Sequence, residues 1–378
     1  MLAWIHDRFG EAWGPLRVLD SIGVRAGLAF VFAFALALVL GPALLARLRA
    51  AGPGERAAAS DDPEVGALYA AAGKSGTPTM GGVFWVGAVL GALLLCARLD
   101  EPLVLIGAAL MVGMSLLGFF DDWIKAHREG GRNGLSRRVK FWASVAVAGA
   151  AMLAYWGLGD PARGYPEIRS VYFPVFKDVV LPFGGWGLLG LLGFLLLEVM
   201  VVLGGSHSVN LADGLDGLAA GSALPVFGAL TVSLYAVGHA GFAEYLHLPH
   251  VLGAGEVAVM AGAVMGATLG FLWFNAYPAD VFLGDSGSLP MGALMGWFAV
   301  VAKAELALPL IAGVFVWEAG TSFVQISACK LFGKRPFLKA PWHHVPQLRG
   351  MPEPRIVVRF WIVSALCAAG GLLLLKLR

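Results

Sequence analysis

Residues 210–221 read NLADGLDGLAAG, and apolar runs long enough to cross a membrane flank this stretch on both sides. It carries two carboxylates, Asp213 and Asp216, and each is followed by a glycine. A charged side chain at the middle of a bilayer costs at least about 2.5 kcal/mol, so we expect both acids at a membrane edge or in a water-filled cavity. If the segment is helical, positions i and i+3 share a face and both acids reach one ligand. Taken alone, the stretch also fits a polar turn between two spans.

The composition is that of a polytopic membrane protein. Hydrophobic residues make up 58% of the 378 residues, charged residues make up 14%, and the mean hydropathy is +0.76. A soluble domain has about 25% charged residues. The basic residues are spread over several loops, so the net charge of +2 offers no surface for nucleic acid. The three cysteines, Cys96, Cys329 and Cys367, lie in or beside apolar segments and predict neither a disulfide framework nor a metal site.

A membrane-spanning helix needs about 20 mostly apolar residues, and ten stretches of the chain come close to this length. The predicted fold is therefore all-α, a bundle of about ten transmembrane helices that forms one integral-membrane domain over residues 1–378. The predicted spans are 23–45, 80–98, 102–120, 139–157, 186–204, 217–237, 256–275, 287–303, 305–329 and 356–376. Pro225 breaks the pattern of the sixth span, and the eighth and ninth lie close together.

The distribution of Lys and Arg predicts the orientation of the bundle, because cytoplasmic loops are enriched in these residues. They concentrate in the loops after the first, third and ninth predicted spans, as Arg47, Arg137, Lys140 and Lys330 illustrate. The loops after odd-numbered spans are therefore predicted to be cytoplasmic, and both termini are predicted to be periplasmic. Residues 158–186 are then an exterior loop that holds a short hairpin or an interfacial helix.

Acidic and histidine residues follow four of the odd-numbered spans, so the prediction places all of them on the cytoplasmic side. Each group taken alone has an ordinary explanation as a solvated helix end or an interfacial residue, and for Asp280 solvation is the favoured one. Their coincidence in four loops favours a functional site. The groups are Asp121 and Asp122 after the third span, Asp213 and Asp216 after the fifth, Asp280 and Asp285 after the seventh, and His343 and His344 after the ninth.

Clustered carboxylates at a membrane surface suit Mg²⁺, which binds through one or two carboxylates together with substrate phosphates. Nearby Lys and Arg side chains would hold phosphate charge. Small residues surround Asp285, and the resulting turn could offer backbone N–H groups to an anion. Together these features predict phosphoryl transfer, in which cations neutralise the charge on a diphosphate. The apolar bundle indicates that one substrate is a lipid.

These residues resemble the polyprenyl-phosphate N-acetylhexosamine-1-phosphate transferase superfamily, and within it the phospho-N-acetylmuramoyl-pentapeptide transferase branch. The resemblance covers nearly the whole chain. The acid-containing motifs are shared across the superfamily, whereas PTMGG and PEPRIVVRFW are typical of the branch. The matching segments are KSGTPTMGG (74–82), GFFDDWIK (118–125), GLSRRVKF (134–141), NLADGLDGL (210–218), FNAYPADVFLGDSGSL (274–289), APWHH (340–344) and PEPRIVVRFWI (352–362).

The resemblance implies a reaction and a set of roles. The reaction moves phospho-MurNAc-pentapeptide from UDP to undecaprenyl phosphate at the bacterial inner membrane, with Mg²⁺ and release of UMP. Asp121 and Asp122 would be the acid pair that activates the lipid phosphate, and Asp285 the metal-binding acid. His343 matches the first histidine of the family's triple-histidine motif, and His344 the second. Lys74 and Lys140 match basic residues near the active site. The positions that would line the nucleotide pocket are Asn210, Asp213, Asp216, Asn275 and Phe282.

The chain departs from the family pattern at Val345, where a third histidine is usual. Valine can bond neither phosphate nor metal. Either the third histidine is dispensable, or this protein handles the sugar phosphate differently.

Two other functions remain as alternatives on the sequence alone. The first is a sister transferase that uses UDP-GlcNAc or a related sugar, which PTMGG and PEPRIVVRFW disfavour. The second is an ion-coupled transporter, which predicts ionisable residues in the middle of spans, whereas the aspartates of the four loops fall at one membrane face. The sequence leaves the oligomeric state open between a monomer and a homodimer.

Overall fold

The structure of the protein is a computed structural model that describes residues 1–9, 14–50, 74, 76–127, 134–160, 165–176 and 179–376. Within these ranges it is almost entirely helical. The first helices are α1 (Leu2–Phe9), α2 (Ile22–Ala50), α3 (Gly82–Cys96), α4 (Pro102–His127) and α5 (Arg137–Leu158). They are followed by α6 (Gly187–Ala212), α7 (Leu218–Gly238), α8 (Ala240–Leu246), α9 (Ala254–Asn275) and α10 (Asp285–Val301). The last are α11 (Leu308–Ile311), α12 (Gly313–Phe332), α13 (His344–Leu348) and α14 (Glu353–Lys376).

The predicted spans coincide with helices α2 to α7, α9, α10, α12 and α14. Among the described residues, 7 helices are long and apolar enough to cross a membrane, and they include α2, α4 and α14. The helix α3 is apolar but has only 15 residues, and α10 has 17. The prediction of an all-α polytopic bundle is therefore confirmed.

Two of the predicted spans differ in detail from the structure. The ninth begins at Gly313 instead of residue 305, because the chain turns after α10, where Lys303 has a positive φ of 55°, and then forms the short α11. The sixth is continuous from Leu218 to Gly238 despite Pro225 in its interior. A proline removes one backbone hydrogen bond from a helix, and packed membrane bundles tolerate this loss.

The loop predicted on the exterior side does contain a hairpin. Strand β1 (Ser170–Tyr172) pairs with β2 (Val180–Pro182) in antiparallel register, with Val171 opposite Leu181. Short 3-10 turns at Pro166–Arg169 and Phe183–Trp186 flank the two strands. The hairpin lies between α5 and α6, at the opposite end of α6 from the 210–221 stretch.

The helix α10 forms the centre of the bundle, and every one of its residues is buried. It packs against α6, α4, α7 and α3. Its contact with α6 is made by backbone, because a Cβ atom added to Gly292 would lie 2.2 Å from the carbonyl oxygen of Gly205. Small residues allow such close approach between membrane helices. The first residue of this buried helix is Asp285, so the central element of the fold fixes the position of a candidate site residue.

Candidate active site

The helices α4 and α10 touch where α10 begins. A Cβ atom added to Gly118 of α4 would lie 2.0 Å from the carbonyl oxygen of Asp285, so any larger residue at Gly118 would push the two helices apart. One turn further along α4, Asp121 and Asp122 therefore come next to Asp285. This contact explains how acids from two distant loops reach one place.

We call Asp121, Asp122 and Asp285 the acid triad. All three are buried, and one carboxylate oxygen from each lies within 4.8 Å of the others. We call the end of the bundle that carries them the acidic end. Carboxylate oxygens at this spacing are the hard ligands that a divalent cation such as Mg²⁺ prefers, so the triad could hold a metal ion.

Two lysines neutralise much of the charge of the triad. The Nζ atom of Lys125 lies 2.8 Å from Oδ2 of Asp121 and 2.8 Å from Oδ2 of Asp285. The Nζ atom of Lys140 also contacts Oδ2 of Asp285 and lies 3.3 Å from Oδ2 of Asp121. Three carboxylates thus face two ammonium groups, which leaves the group with a surplus of negative charge. The side chain of Lys125 is 34% exposed, so this part of the site is open to solution.

The two adjacent acids of α4 contact different parts of the protein. Oδ1 of Asp121 accepts a hydrogen bond from the backbone N–H of Leu135 at 2.6 Å, in the segment before α5. Oδ2 of Asp122 accepts one from the backbone N–H of Ser286 at 3.0 Å, in the first turn of α10. Neighbouring helical residues point about 100° apart, and this accounts for the difference. Asp122 is therefore tied to the central helix, and Asp121 to a loop and both lysines.

Asn210, which the resemblance assigns to the nucleotide pocket, contacts this group. Its side-chain amide donates to Oδ1 of Asp285 and to Oγ of Ser288 at 2.8 Å. Asn210 lies in the last turn of α6, so a third helix contributes to the surroundings of Asp285. This contact orients the carboxylate that the resemblance assigns to the metal.

Of the two alternatives that the sequence left open for Asp213 and Asp216, a helix or a turn, the structure shows the turn. The helix α6 ends at Ala212, and residues 213–217 form a turn that Gly217 leaves with a positive φ of 76°. The two acids therefore do not share a helical face. Asp216 is buried and accepts hydrogen bonds from Nζ of Lys74 at 2.7 Å and from the backbone N–H of Ala279 at 3.1 Å. Asp213 is only partly buried.

Lys74 and the residues predicted to line the nucleotide pocket lie at the acidic end. Their hydrogen bonds connect the loops there to one another. Nζ of Lys74 also donates to Glu353 at 2.6 Å. Oδ1 of Asn275 accepts from the backbone N–H of Gly217 at 3.0 Å, and Nδ2 donates to the carbonyl oxygen of Val281 at 2.8 Å. The backbone of Phe282 pairs with residues 78 and 81 of the KSGTPTMGG motif at 2.9 Å each.

His343 is buried against the 213–217 turn. Its Nδ1 atom lies 2.9 Å from Oε2 of Glu318 in α12, and its Nε2 atom points at Gly214, where an added Cβ would lie 2.3 Å away. The ring of His344 is 4.1 Å from that of His343, and its Nδ1 is 3.2 Å from Oε1 of Gln347. Val345, which replaces a third histidine, is buried. Its side chain therefore contributes to packing.

Asp280 behaves as the sequence favoured. Its side chain is 58% exposed and lies 2.9 Å from Nη2 of Arg49, away from the acid triad. Asp280 can serve as a control for Asp285, because it lies in the same segment between α9 and the first residue of α10.

Sequence reasoning missed two residues of this region, namely Glu318 and Glu353. Glu318 is a lone acid in the apolar run VFVWEAG, and an acid within a membrane span is by itself a reason to suspect function. Glu353 lies in the PEPRIVVRFW motif, but the sequence gave no link to its partners, because Lys74 and Asp216 are 279 and 137 residues away in the chain.

Comparisons with known proteins match the segments that carry these residues. The sequence model of Glycosyl transferase family 4 matches residues 104–303, which include the whole acid triad. The Phospho-N-acetylmuramoyl-pentapeptide-transferase signature 1 matches residues 74–86, which include Lys74. The chain is 37% identical over 382 residues to the phospho-N-acetylmuramoyl-pentapeptide-transferase of Psychrobacter cryohalolentis, with 100% of each chain covered. It is equally similar, with the same coverage, to the protein of that name from Psychrobacter arcticus.

Proposed function

The chain belongs to the phospho-N-acetylmuramoyl-pentapeptide-transferase family, and on that premise we propose that it transfers phospho-MurNAc-pentapeptide from UDP to undecaprenyl phosphate, giving lipid I and UMP. The observation that carries the proposal is the acid triad with its two lysines at one end of a membrane bundle. There a lipid phosphate and a soluble nucleotide can both reach one cluster of charges. The active site would face the cytoplasm, and both termini the periplasm.

We propose Mg²⁺ as the cofactor, with Asp285 as its principal ligand and Asp121 and Asp122 beside it. The donor set fits, since three carboxylates offer oxygens within 4.8 Å and no sulfur or imidazole ligand is among them. When bound, the ion would neutralise the negative charge of the diphosphate. The surplus of one carboxylate over the two ammonium groups supports the binding of a further cation.

The lysines of the triad suit the binding of phosphate. Lys140 bridges two carboxylates, so one of the three donors of its ammonium group is available for a phosphate oxygen. Lys125 contacts all three acids of the triad and would exchange one of these contacts for phosphate. Lys125, which is the more exposed, would meet the substrate first. Both lysines would hold the two phosphates close together against their mutual repulsion.

We propose that Asp121 accepts the proton of the lipid phosphate. The second pKa of a phosphate monoester lies near 6, so a carboxylate can accept this proton at little cost when the phosphate attacks the UDP-linked phosphorus. Asp122, held by the backbone N–H of Ser286, would keep α4 in register with Asp285. His343, held by Glu318, would position the 213–217 turn.

The nucleotide would bind beside the triad, at the loops that Asn275 and Phe282 join. We assign Asn210, Asp213, Asp216 and His344 to the nucleotide side of the site, together with Lys74. Asp216 supports this assignment, because it accepts hydrogen bonds from Lys74 and from the backbone N–H of Ala279. The polar atoms of Lys74, Asp216 and Asn275 contact other parts of the protein. These residues would therefore shape the pocket more than they contact the base.

A radiolabel transfer assay tests the proposal. The purified protein in detergent is incubated with undecaprenyl phosphate and labelled UDP-MurNAc-pentapeptide, with Mg²⁺ or with a chelator. We expect labelled lipid and UMP only when Mg²⁺ is present. UDP-GlcNAc in place of the first nucleotide should give no labelled lipid, and transfer from UDP-GlcNAc alone would contradict the proposed substrate.

A further inference from the structure

The start of the last helix holds the 213–217 turn through one carboxylate. Oε1 of Glu353 accepts a hydrogen bond from the backbone N–H of Asp216 at 2.8 Å and from Nζ of Lys74 at 2.6 Å. Its side chain is only 6% exposed. Lys74 in turn donates to Oδ1 of Asp216 at 2.7 Å. One acid thus fixes both the backbone and the side-chain partner of Asp216.

The same helix holds the other end of the turn through a tryptophan. Nε1 of Trp361, two turns after Glu353, donates to the carbonyl oxygen of Gly217 at 3.0 Å. Its ring lies against Gly221, where an added Cβ would be 2.1 Å from the ring. Between these contacts, a small apolar cluster forms that is separate from the main core and consists of Leu215, Leu218, Ile356 and Val357.

The turn passes these constraints on to the neighbouring loops. The second oxygen of Asp216 accepts from the backbone N–H of Ala279, and the N–H of Gly217 donates to Asn275. Gly214 lies against His343. Within the described part of the chain, the carboxylate of Glu353 bonds to Lys74 and Asp216 and not to the acid triad. A disturbance at Glu353 should therefore reach the nucleotide side of the site before it reaches Asp285.

We propose that Glu353 is a positioning residue for the nucleotide substrate, which it serves by holding Lys74 and the 213–217 turn in the binding conformation. The inference rests on the proposed function, since it assigns this turn to the UDP-sugar side. It also gives a role to the PEPRIVVRFWI segment, which the chemistry of the triad does not use. Glu353 itself would contact neither substrate.

Replacement of Glu353 by Gln keeps the shape of the side chain and removes its charge. A hydrogen bond between charged groups is stronger than one that involves a neutral group, so we expect the KM for UDP-MurNAc-pentapeptide to rise about tenfold or more. The kcat and the KM for undecaprenyl phosphate should change much less. A purely structural role would instead lower the thermal midpoint and affect both substrates alike.

The matched control is Glu256→Gln, which neutralises another buried carboxylate. Glu256 forms a bidentate pair with Arg25 at the start of α9, the opposite end of that helix from Asn275. This variant should lower the thermal midpoint and leave both KM values unchanged. Equal behaviour of the two variants would overturn the proposal.

A double-mutant cycle with Lys74→Met tests whether Glu353 acts through the lysine. Coupled residues give non-additive effects, so the double variant should show the KM of the worse single variant and not the product of both increases. If Glu353→Gln does not fold, Glu353→Asp serves in its place, because it keeps the charge but shortens the reach. An unchanged KM in a folded variant would refute the role of Glu353, whereas absence of turnover in the wild-type protein would refute the proposed function instead.

Discussion

The two ends of α10 carry two clusters of buried ionisable groups with opposite characters. The acid triad lies at the first residue of this helix, and its carboxylates contact lysines and backbone N–H groups from several loops. The second cluster lies at the C-terminal end of the helix, and we call it the distal cluster. It consists of Tyr155, Glu198, Lys303 and Glu305, and all four residues are buried.

The distal cluster is closed to solution, whereas the acid triad is accessible to it. Nζ of Lys303 donates to the carbonyl oxygen of Ile168 at 3.0 Å and lies 3.8 Å from Oε1 of Glu305. Neither carboxylate oxygen of Glu198 has a hydrogen-bond partner among the described residues. Lys125 of the triad, by contrast, is 34% exposed. Burial of charge in a membrane protein therefore does not identify an active site without access and convergent partners.

The position of Glu198 bears on the alternative that the protein is an ion-coupled transporter. The transporter hypothesis predicts ionisable residues in the middle of spans, and the aspartates that argued against it all lie at one membrane face. Glu198 lies near the middle of α6 and is fully buried. Substitutions in each cluster can show which of the two clusters serves the transfer reaction. The largest effect on turnover is expected in the acid triad.

The largest effect should come from Asp285→Asn. An amide oxygen is a neutral and weaker ligand for a hard dication than a carboxylate, so turnover should fall to the background of the assay while the protein remains folded. The control is Asp280→Asn, which changes an exposed acid that follows the same helix and should leave turnover intact. Full activity of Asp285→Asn would remove the metal assignment.

Asp121→Ala and Asp122→Ala should reduce turnover unequally. Loss of a general base lowers a rate by about 10²- to 10⁴-fold, and we expect a reduction of at least about a hundredfold for Asp121→Ala, with nucleotide affinity little changed. The phosphate of the lipid loses its second proton as the pH rises through about 6, so higher pH should partly rescue this variant. A pH–rate profile of both variants decides the point, because no recovery in either would mean that the acids serve only the metal or the fold.

Glu198→Gln should have a small effect on activity. Burial of a carboxylate without a hydrogen-bond partner costs folding free energy, so removal of this group should leave the thermal midpoint unchanged or raise it, and the transfer rate should be retained. Measurement of both quantities beside Asp285→Asn compares the two clusters directly. A loss of turnover similar to that of Asp285→Asn would bring the distal cluster into the mechanism.

The smallest effect on activity is expected in a test of how the bundle is oriented in the membrane. In a variant without native cysteines, Lys334→Cys should react with a membrane-impermeant thiol reagent only from the cytoplasmic side, and Phe176→Cys only from outside. Both positions are exposed, so substitution should not disturb the fold. The reverse labelling pattern would place the acid triad on the periplasmic side and contradict the orientation predicted from Lys and Arg.

The sequence predicted the helices well because each span is a local property of about 20 residues. It also predicted that the acids of several loops share one end of the bundle, and the contacts of Asp285 with Lys125 and Asn210 agree with this. The 213–217 turn was less predictable, since Gly214 and Gly217 permit either a helix or a turn, and tertiary contacts with Glu353 and Trp361 decide between them.

The partners of the site residues were largely out of reach of sequence reasoning. Glu318 meets His343 across 25 residues, and Glu353 meets Lys74 across 279. No periodic pattern links such positions. Lys303 and Glu305 were assigned to the end of the eighth predicted span and the start of the ninth. The structure buries both in a polar group, in which Lys303 donates to the carbonyl oxygen of Ile168 and lies over the ring of Tyr155.

The length of α4 has a consequence for the encounter with the substrate. This helix continues from Asp121 to His127, which at 1.5 Å per residue is about 9 Å past the triad. Mobile ions screen charges over about 8 Å at physiological ionic strength. Added salt should therefore weaken the long-range attraction of the nucleotide to this end of the bundle far more than its short-range contacts with Lys125 and Lys140, whose Nζ atoms both lie at Asp285. The dependence of kcat/KM on ionic strength would then report capture of the nucleotide, and kcat would be nearly insensitive to salt.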